Sequence, residues 1–410
     1  MKLLATTAFA GVLLVSWSAS AADNLKEAFA EGTLKGEVRT FYYSREFDQK
    51  TPDKEDLALG TLMYYRTAPL FGITAGLGTA TASDIGSDDD KAVYGLLATD
   101  AKKHHDSFAR LQEYFIQGNW FDTTLKLGAQ EIESPFINGH DIRLIPKTYR
   151  GLTVENKSVE NLTLKAFYLT DFMGWSDDEF LQISSVAKGA DEEPLVAGSI
   201  RYNFPIKIAT LDTEAWDYRI EDVFNSTYFK ATLGKKFESV SVHFTPSYLK
   251  QDSIGDDLAG QFDTQQYGFN TGAKMAGFDV TAFYAKTGDN DLFVPWGDGK
   301  VLIQQINASG RAEEDAYALK LGYDFATLGA KGLSAYIFHG FYDTPDSGSH
   351  AASDINETNF SAQYAFAGSL DGLSVRARYA IIDYDNEKAD DFDDFRIYLK
   401  YTFSFGGKKS

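Results

Sequence analysis

Residues 395–405 read Phe-Arg-Ile-Tyr-Leu-Lys-Tyr-Thr-Phe-Ser-Phe. Phe395, Ile397, Leu399, Tyr401, Phe403 and Phe405 fall on one side of an extended chain, and Arg396, Tyr398, Lys400, Thr402 and Ser404 on the other. Strict period-two alternation over such a length specifies a strand with one apolar and one polar face. In a soluble sheet the apolar face meets a core, yet here the pattern recurs all along the chain with no amphipathic helical segment to cover it. An apolar outside and a wet inside are both satisfied when the sheet closes in a bilayer, where every backbone group must be paired. The fold class expected is therefore all-β, a transmembrane antiparallel β-barrel.

Eighteen strands are predicted, near 34–46, 57–68, 70–81, 108–119, 122–131, 149–157, 161–171, 194–204, 206–217, 223–236, 239–250, 263–274, 278–287, 315–326, 332–342, 356–367, 372–382 and 394–405. The connections alternate: long ones at 82–107, 132–148, 172–193 and 288–314, tight ones at Trp120-Phe121, Lys157 to Glu160 and Gly368 to Asp371. Long extracellular loops, short periplasmic turns and an even strand count that returns both ends to the periplasm are the signature of such barrels. No domain boundary is visible in 22–410.

The N-terminus carries Lys2, an apolar stretch from Leu3 to Val15 and the small residues Ala19-Ser20-Ala21. It reads as a secretory signal peptide, residues 1–21, cleaved before Ala22. No other stretch approaches the ~18 continuous apolar residues of a spanning helix. A mean hydropathy of −0.28 is what alternating lipid-facing and lumen-facing residues average to. Cysteine is absent, so neither disulfides nor thiolate metal sites are available to this exported chain. The 31 Phe and 23 Tyr against 9 Pro suit strands and interfacial girdles.

Parity decides which charges are wet. Arg376 and Arg378 oppose the face of Leu373, Val375, Ala377, Tyr379 and Ile381; by the same test Lys126, Lys165, Arg201, Lys320, Arg396 and Lys400 oppose apolar neighbours. An Arg or Lys facing the hydrocarbon midplane costs ~2–4 kcal/mol, so these eight are expected to line the lumen. Arg376, Arg378 and Arg396 lie on neighbouring strands, where their charges can act together. The planar guanidinium can hold two carboxylate oxygens at once. The competing reading is that the basic residues pair with lumen acids such as Glu37, Glu155, Asp324 and Glu357 and only neutralise the interior.

Two connections are candidates for a constriction. The 132–148 segment carries Asn138, His140, Asp141, Arg143 and Lys147 among the apolar residues Phe136, Ile137, Leu144 and Ile145. The 288–314 segment holds Phe293-Val294-Pro295-Trp296-Gly297, apolar content out of place on an exposed tip. Both are expected to fold inward. Acidic runs at Asp88-Asp89-Asp90, Asp177-Asp178-Glu179, Asp191-Glu192-Glu193 and Asp390 to Asp394 are assigned to extracellular loops. They read as solvated surface, with divalent-cation bridging to lipopolysaccharide as the alternative, since none has calcium-loop spacing. His104-His105 is no better as a metal site. Of the six histidines only His339 is in phase with a lipid face, with no serine motif beside it, which argues against a lipid hydrolase. No phosphate-binding glycine loop or basic nucleic-acid patch is present, and no cofactor or metal is expected.

Several segments, taken in order, resemble the OprD family of outer-membrane porins. They are Gly32 to Arg39 leading to Tyr42-Tyr43-Ser44-Arg45; Thr124 to Gln130, continuing through Asp141 to Pro146 and Gly151 to Glu155; Glu221-Asp222-Val223-Phe224-Asn225; Pro295-Trp296-Gly297; Ala316 to Phe325; and Gly372 to Ala380. The resemblance implies an 18-stranded barrel with inward-folded extracellular loops, a monomeric pore and a ladder of basic residues guiding small carboxylate-bearing nutrients through the outer membrane of a Gram-negative bacterium. Partners so implied are small hydrophilic solutes, outer-membrane lipid and lipopolysaccharide, and the barrel-assembly machinery, which reads a terminal aromatic. Two features depart from the pattern. Phe405 is followed by Gly406-Gly407-Lys408-Lys409-Ser410, and 39 basic residues stand against 59 acidic ones, a net charge of −20. Passive diffusion of small solutes, most of all carboxylates or amino acids, is the expected function; a structural or adhesive surface barrel is the alternative.

Overall fold

The computed structural model describes residues 21–88, 91–100, 104–187, 190, 192–261, 263–386 and 389–406. Eighteen long antiparallel strands form the wall: β1 (Thr33–Phe47), β2 (Lys54–Arg66), β3 (Ile73–Asp84), β4 (Phe108–Trp120), β5 (Thr123–Gln130), β6 (Thr148–Asn156), β7 (Leu162–Met173), β8 (Leu195–Phe204), β9 (Thr210–Ile220), β10 (Phe224–Lys236), β11 (Val240–Ser253), β12 (Thr264–Met275), β13 (Phe278–Thr287), β14 (Asp315–Asp324), β15 (Leu333–Asp343), β16 (Ile355–Ala365), β17 (Leu373–Tyr384) and β18 (Phe392–Gly406). Each pairs with its successor, and β1 closes on β18 with Arg39 opposite Lys400. Among the described residues the wall itself has no edge left open to pair with another chain.

All eighteen predicted strands are present. The starts of β3 and β9 fall three to four residues later than alternation suggests, because the preceding Pro69 and Pro205 cannot donate to a ladder and the chain turns there first. A six-residue helix, α1 (Leu25–Ala30), precedes β1. Its signal is a reciprocal cap: Glu27 N–H donates to the Asn24 side chain at 3.0 Å while Asp23 N–H donates to the Glu27 carboxylate at 3.1 Å.

Opposed residues in an antiparallel pair share a face, so parity can be followed round the wall. Lys400 faces the same way as Arg39 and Ser374; Arg396 opposes Arg378, Arg378 opposes Ser361, and Ser361 opposes Tyr336. Lys320 opposes Phe338. On the far side Lys165 opposes Glu155, and Glu214 lies between Arg201 and Lys230. This face is inward: Arg39 reaches the 131–147 loop inside the barrel, bonding Asp141 at 2.5 and 2.9 Å and the Leu144 carbonyl at 3.0 Å. The other face presents exposed Leu399, Tyr401, Leu319, Leu321, Ile337, Leu125 and Leu127, the lipid-facing band. Leu399→Arg therefore places a guanidinium in that band at ~2–4 kcal/mol, whereas Thr402→Arg points inward. The first should lose most of its folded, heat-shifted gel band and the second keep it; equal loss would contradict the parity.

The acidic run 390–394 is not one solvated cluster. β18 begins at Phe392, so alternation splits it: Asp394 points inward, fully buried, and pairs with Arg396 at 2.6 Å and Arg45 at 3.0 Å. Asp390 caps the facing loop, accepting from the Thr51 N–H at 2.7 Å. Asp177 likewise accepts from the Gly174 N–H at 2.8 Å. Residues 1–20, most of the assigned signal peptide, lie outside the described residues, as do Asp89, Asp90, Asp191 and residues 407–410 of the tail.

Candidate functional site

Two loops cross the lumen and hold each other. Residues 131–147 meet 288–314 along a seam: Asn138 donates its side-chain amide to Asp298 at 2.8 Å, Lys147 donates to the Pro295 carbonyl at 3.0 Å, and the Tyr149 hydroxyl is shared between the carbonyls of Asn138 (2.8 Å) and Trp296 (3.0 Å). Phe136 lies so close that a Cβ on Gly297 or Gly299 would meet it at 2.5 and 2.0 Å, which explains glycine at both places. Trp296 is buried, edge-on to Phe172 and tilted on Phe224. Of the constriction candidates, then, Asn138, Lys147, Pro295 and Trp296 lie in the seam between the two loops. Asp141 holds Arg39, the His140 carbonyl accepts from Trp175, and Arg143 donates to the Tyr94 carbonyl at 3.0 Å.

A third connection joins them. Trp175 donates its indole N–H to the His140 carbonyl at 2.8 Å, and its ring lies 4.3 Å from the Lys147 ammonium and 5.2 Å from the Arg143 guanidinium. Buried Arg110 donates to the carbonyls of Gly174 (2.6 Å), Asp177 (2.7 Å) and Pro146 (2.7 Å). The 174–194 connection, read from sequence as extracellular, thus folds in at its base. Arg110 and Trp175 were missed; an inward-parity arginine at the top of β4 and a lone tryptophan before an acidic run were the available signals. Burial, reinforced by Lys147 and Arg143, pushes the His140 imidazole down to about 3. It is neutral at any working pH. Burial also lowers the Lys147 ammonium to about 8.

The 288–314 loop is fixed to the opposite wall by Glu357. This buried carboxylate accepts the backbone N–H groups of Gln305 (2.8 Å), Ile306 (3.0 Å) and Asn307 (2.8 Å) and the Asn307 amide (2.9 Å). Gln305 reaches Asp394 at 2.7 Å. The competing reading set Glu357 among the lumen acids that neutralise basic residues; its carboxylate anchors a loop, because its nearest donors belong to that loop.

The eight basic candidates divide. Lys126 lies 3.7 Å from Glu113, Lys165 3.6 Å from Glu155, Arg201 2.8 Å from Asp212, Lys400 3.2 Å from Glu37 and Arg396 2.6 Å from Asp394. Arg396 is also buried under Tyr43, whose ring is 4.6 Å away, so its charge is spent locally. Arg376, Arg378 and Lys320 differ. Arg376 donates to Ser361 and to the Tyr336 hydroxyl, both at 3.2 Å. Lys320 stands 4.3 Å from the Tyr336 ring centre. Among the described residues no carboxylate lies within ion-pair distance of Lys320 or Arg378, and Arg378 Nε has no hydrogen-bond partner. Three cations converge round one tyrosine.

The match to known proteins is consistent along the chain. Residues 27–405 fit the model of a family described as outer membrane porin, OprD family. Among solved structures, OccK9 (OpdG) of Pseudomonas aeruginosa superposes with a TM-score of 0.84 at 21% identity, covering 92% of this chain and 100% of its own. OpdK of the same organism, solved with vanillate, gives 0.82 at 18% identity over 92% and 100%. OccAB2 of Acinetobacter baumannii gives 0.82 at 21% over 92% and 99%. No curated protein sequence matches.

Proposed function

The chain belongs to the OprD family of outer-membrane porins, a passive channel rather than an enzyme, and from that premise we propose that it favours small carboxylates among the solutes it admits. The observation that carries this reading is the cluster of Lys320, Arg376 and Arg378, in which Ser361 and the Tyr336 hydroxyl hold Arg376 and the Tyr336 ring faces Lys320. A carboxylate passing this stretch of wall exchanges water for preoriented cationic donors. Lys126, Lys165, Arg201, Arg396 and Lys400 then act mainly as halves of lumen ion pairs, setting shape and local field. Residues 1–21 serve as the cleaved leader and 22–410 as one barrel domain; Phe405 is the aromatic that the assembly machinery reads, and lipopolysaccharide surrounds the extracellular rim.

The test is flux through the purified protein in liposomes. At low salt a small carboxylate should cross several-fold faster than an amine of equal size, and the difference should shrink near 1 M salt, where the Debye length falls to ~3 Å. Equal flux would remove the carboxylate preference. No flux of either would favour the structural barrel.

A further inference from the structure

Strand β4 carries a bulge. Gly78 of β3 stands opposite Glu113 and Thr79 opposite Leu111, so Gln112 is an extra residue in the ladder. A bulge re-aims the side chains beside it. Arg110, Gln112 and Glu113 are all buried toward the lumen, while Leu111 stays exposed on the lipid side. The three meet the two ends of the 131–147 loop. Gln112 accepts from Arg110 at 2.8 Å and donates to the Pro146 carbonyl at 2.9 Å; Glu113 accepts the backbone N–H of Glu131, the first residue of the loop, at 2.9 Å.

That last bond sets two carboxyl groups close together, and the cations around them are unevenly shared. Glu113 takes Arg66 at 3.1 Å and Lys126 at 3.7 Å. Arg39 is paired with Glu37 and Asp141, and Arg110 is taken up by backbone carbonyls. Among the described residues none of these cations lies within ion-pair distance of Glu131. Its carboxyl group receives two neutral donors instead, the Tyr64 hydroxyl and the Gln112 amide at 3.4 Å. Together with Asp141, these are the titratable and charged groups that face it from β1, β2, β4, β5 and its own loop. Burial, then the charge of Glu113, push the Glu131 carboxyl up to about 7, and Asp141 adds to both. Glu131 is only half-buried, so an ion in the lumen feels its charge.

We propose that Glu131 tunes the ion selectivity of the pore through its own protonation: neutral in mild acid, it gains in mild alkali a negative charge that no cation beside it offsets. The effect acts on any small ion and does not depend on a preference for carboxylates, so the two can fail separately. Ionised Glu131 attracts cations and repels anions at the root of the loop, and salt screens it.

Reversal potential in a planar bilayer under a dilute KCl gradient reads this directly. Glu133, two residues on, is also pushed up to about 7, by burial and by Asp298, so the titration is made in a Glu133→Gln background. The cation-to-anion permeability ratio should rise about two- to threefold as pH is raised through neutrality, with a midpoint near 7. Adding Glu131→Gln should hold the ratio at its acid value through that range, leaving only the contribution of Lys147 nearer 8. Tyr64→Phe removes a hydrogen bond that favours the ionised carboxylate, so it should move the midpoint to higher pH, which a merely structural Glu131 would not do. That variant carries the test should Glu131→Gln fail to give the heat-shifted folded band. A step near neutrality that survives Glu131→Gln, or a midpoint that Tyr64→Phe leaves in place, would overturn the assignment.

Discussion

Changing Glu357 to Gln detaches the 288–314 loop from the wall and widens the pore. Four donors from residues 305–307 converge on this carboxylate at 2.8–3.0 Å, and Asn359 adds a fifth at 2.7 Å. Hydrogen bonds to a charged acceptor contribute ~1.5–3 kcal/mol each. Glutamine offers one acceptor oxygen and turns an NH2 group toward the remaining donors, so buried N–H groups lose their partner and the docked loop loses several kcal/mol relative to a hydrated one. The barrel wall holds, because the backbone ladders of β15, β16 and β17 do not involve this side chain. Single-channel conductance should rise roughly twofold or more with added open-state noise, and Lys300 and Arg311 should become sensitive to trypsin on folded protein. Wild-type conductance together with full protection would mean that the seam with residues 131–147 holds the loop by itself.

The loop-anchoring role of Glu357 lies beyond what alternation can reveal. Alternation fixes the face of a residue, since a one-residue slip would send Leu399 inward and Lys400 into lipid; hence the strands, and which residues share a face, were legible. Neighbours on that face depend on register, and register depends on where each turn closes. Asp394 and Arg396 are two apart on one strand, so their pairing could be anticipated from sequence. The meeting of Arg39 with Asp141, of Glu357 with residues 305–307, and of Trp175 with His140 depends on how loops fold back across the lumen. Apolar residues in the 132–148 and 288–314 segments revealed that those loops turn inward, but the seam that buries Trp296 and Lys147 exists only once both are in place.

That division changes which charges should matter for permeation. Arg396→Gln would leave Asp394, fully buried, with only Arg45 as a charged partner. Removing one half of a buried pair costs ~3–5 kcal/mol, so this variant should lower the temperature of the gel shift and says little about solutes. The combined Lys320→Gln, Arg376→Gln and Arg378→Gln variant removes positive charge without orphaning a carboxylate among the ion pairs described. In a hydrated lumen each of these charges is worth of order 0.5–1 kcal/mol to an anion a few ångströms away. Three together change the local concentration of a carboxylate about tenfold or more at low salt, and less as the Debye length shortens to ~8 Å at physiological ionic strength. Carboxylate flux into liposomes should fall accordingly, and the reversal potential under a salt gradient should move toward cation selectivity, with the folded band intact. A folded triple variant with undiminished carboxylate flux at low salt would sink the proposed preference, because Lys126, Lys165, Arg201, Arg396 and Lys400 each stand within ion-pair distance of a carboxylate.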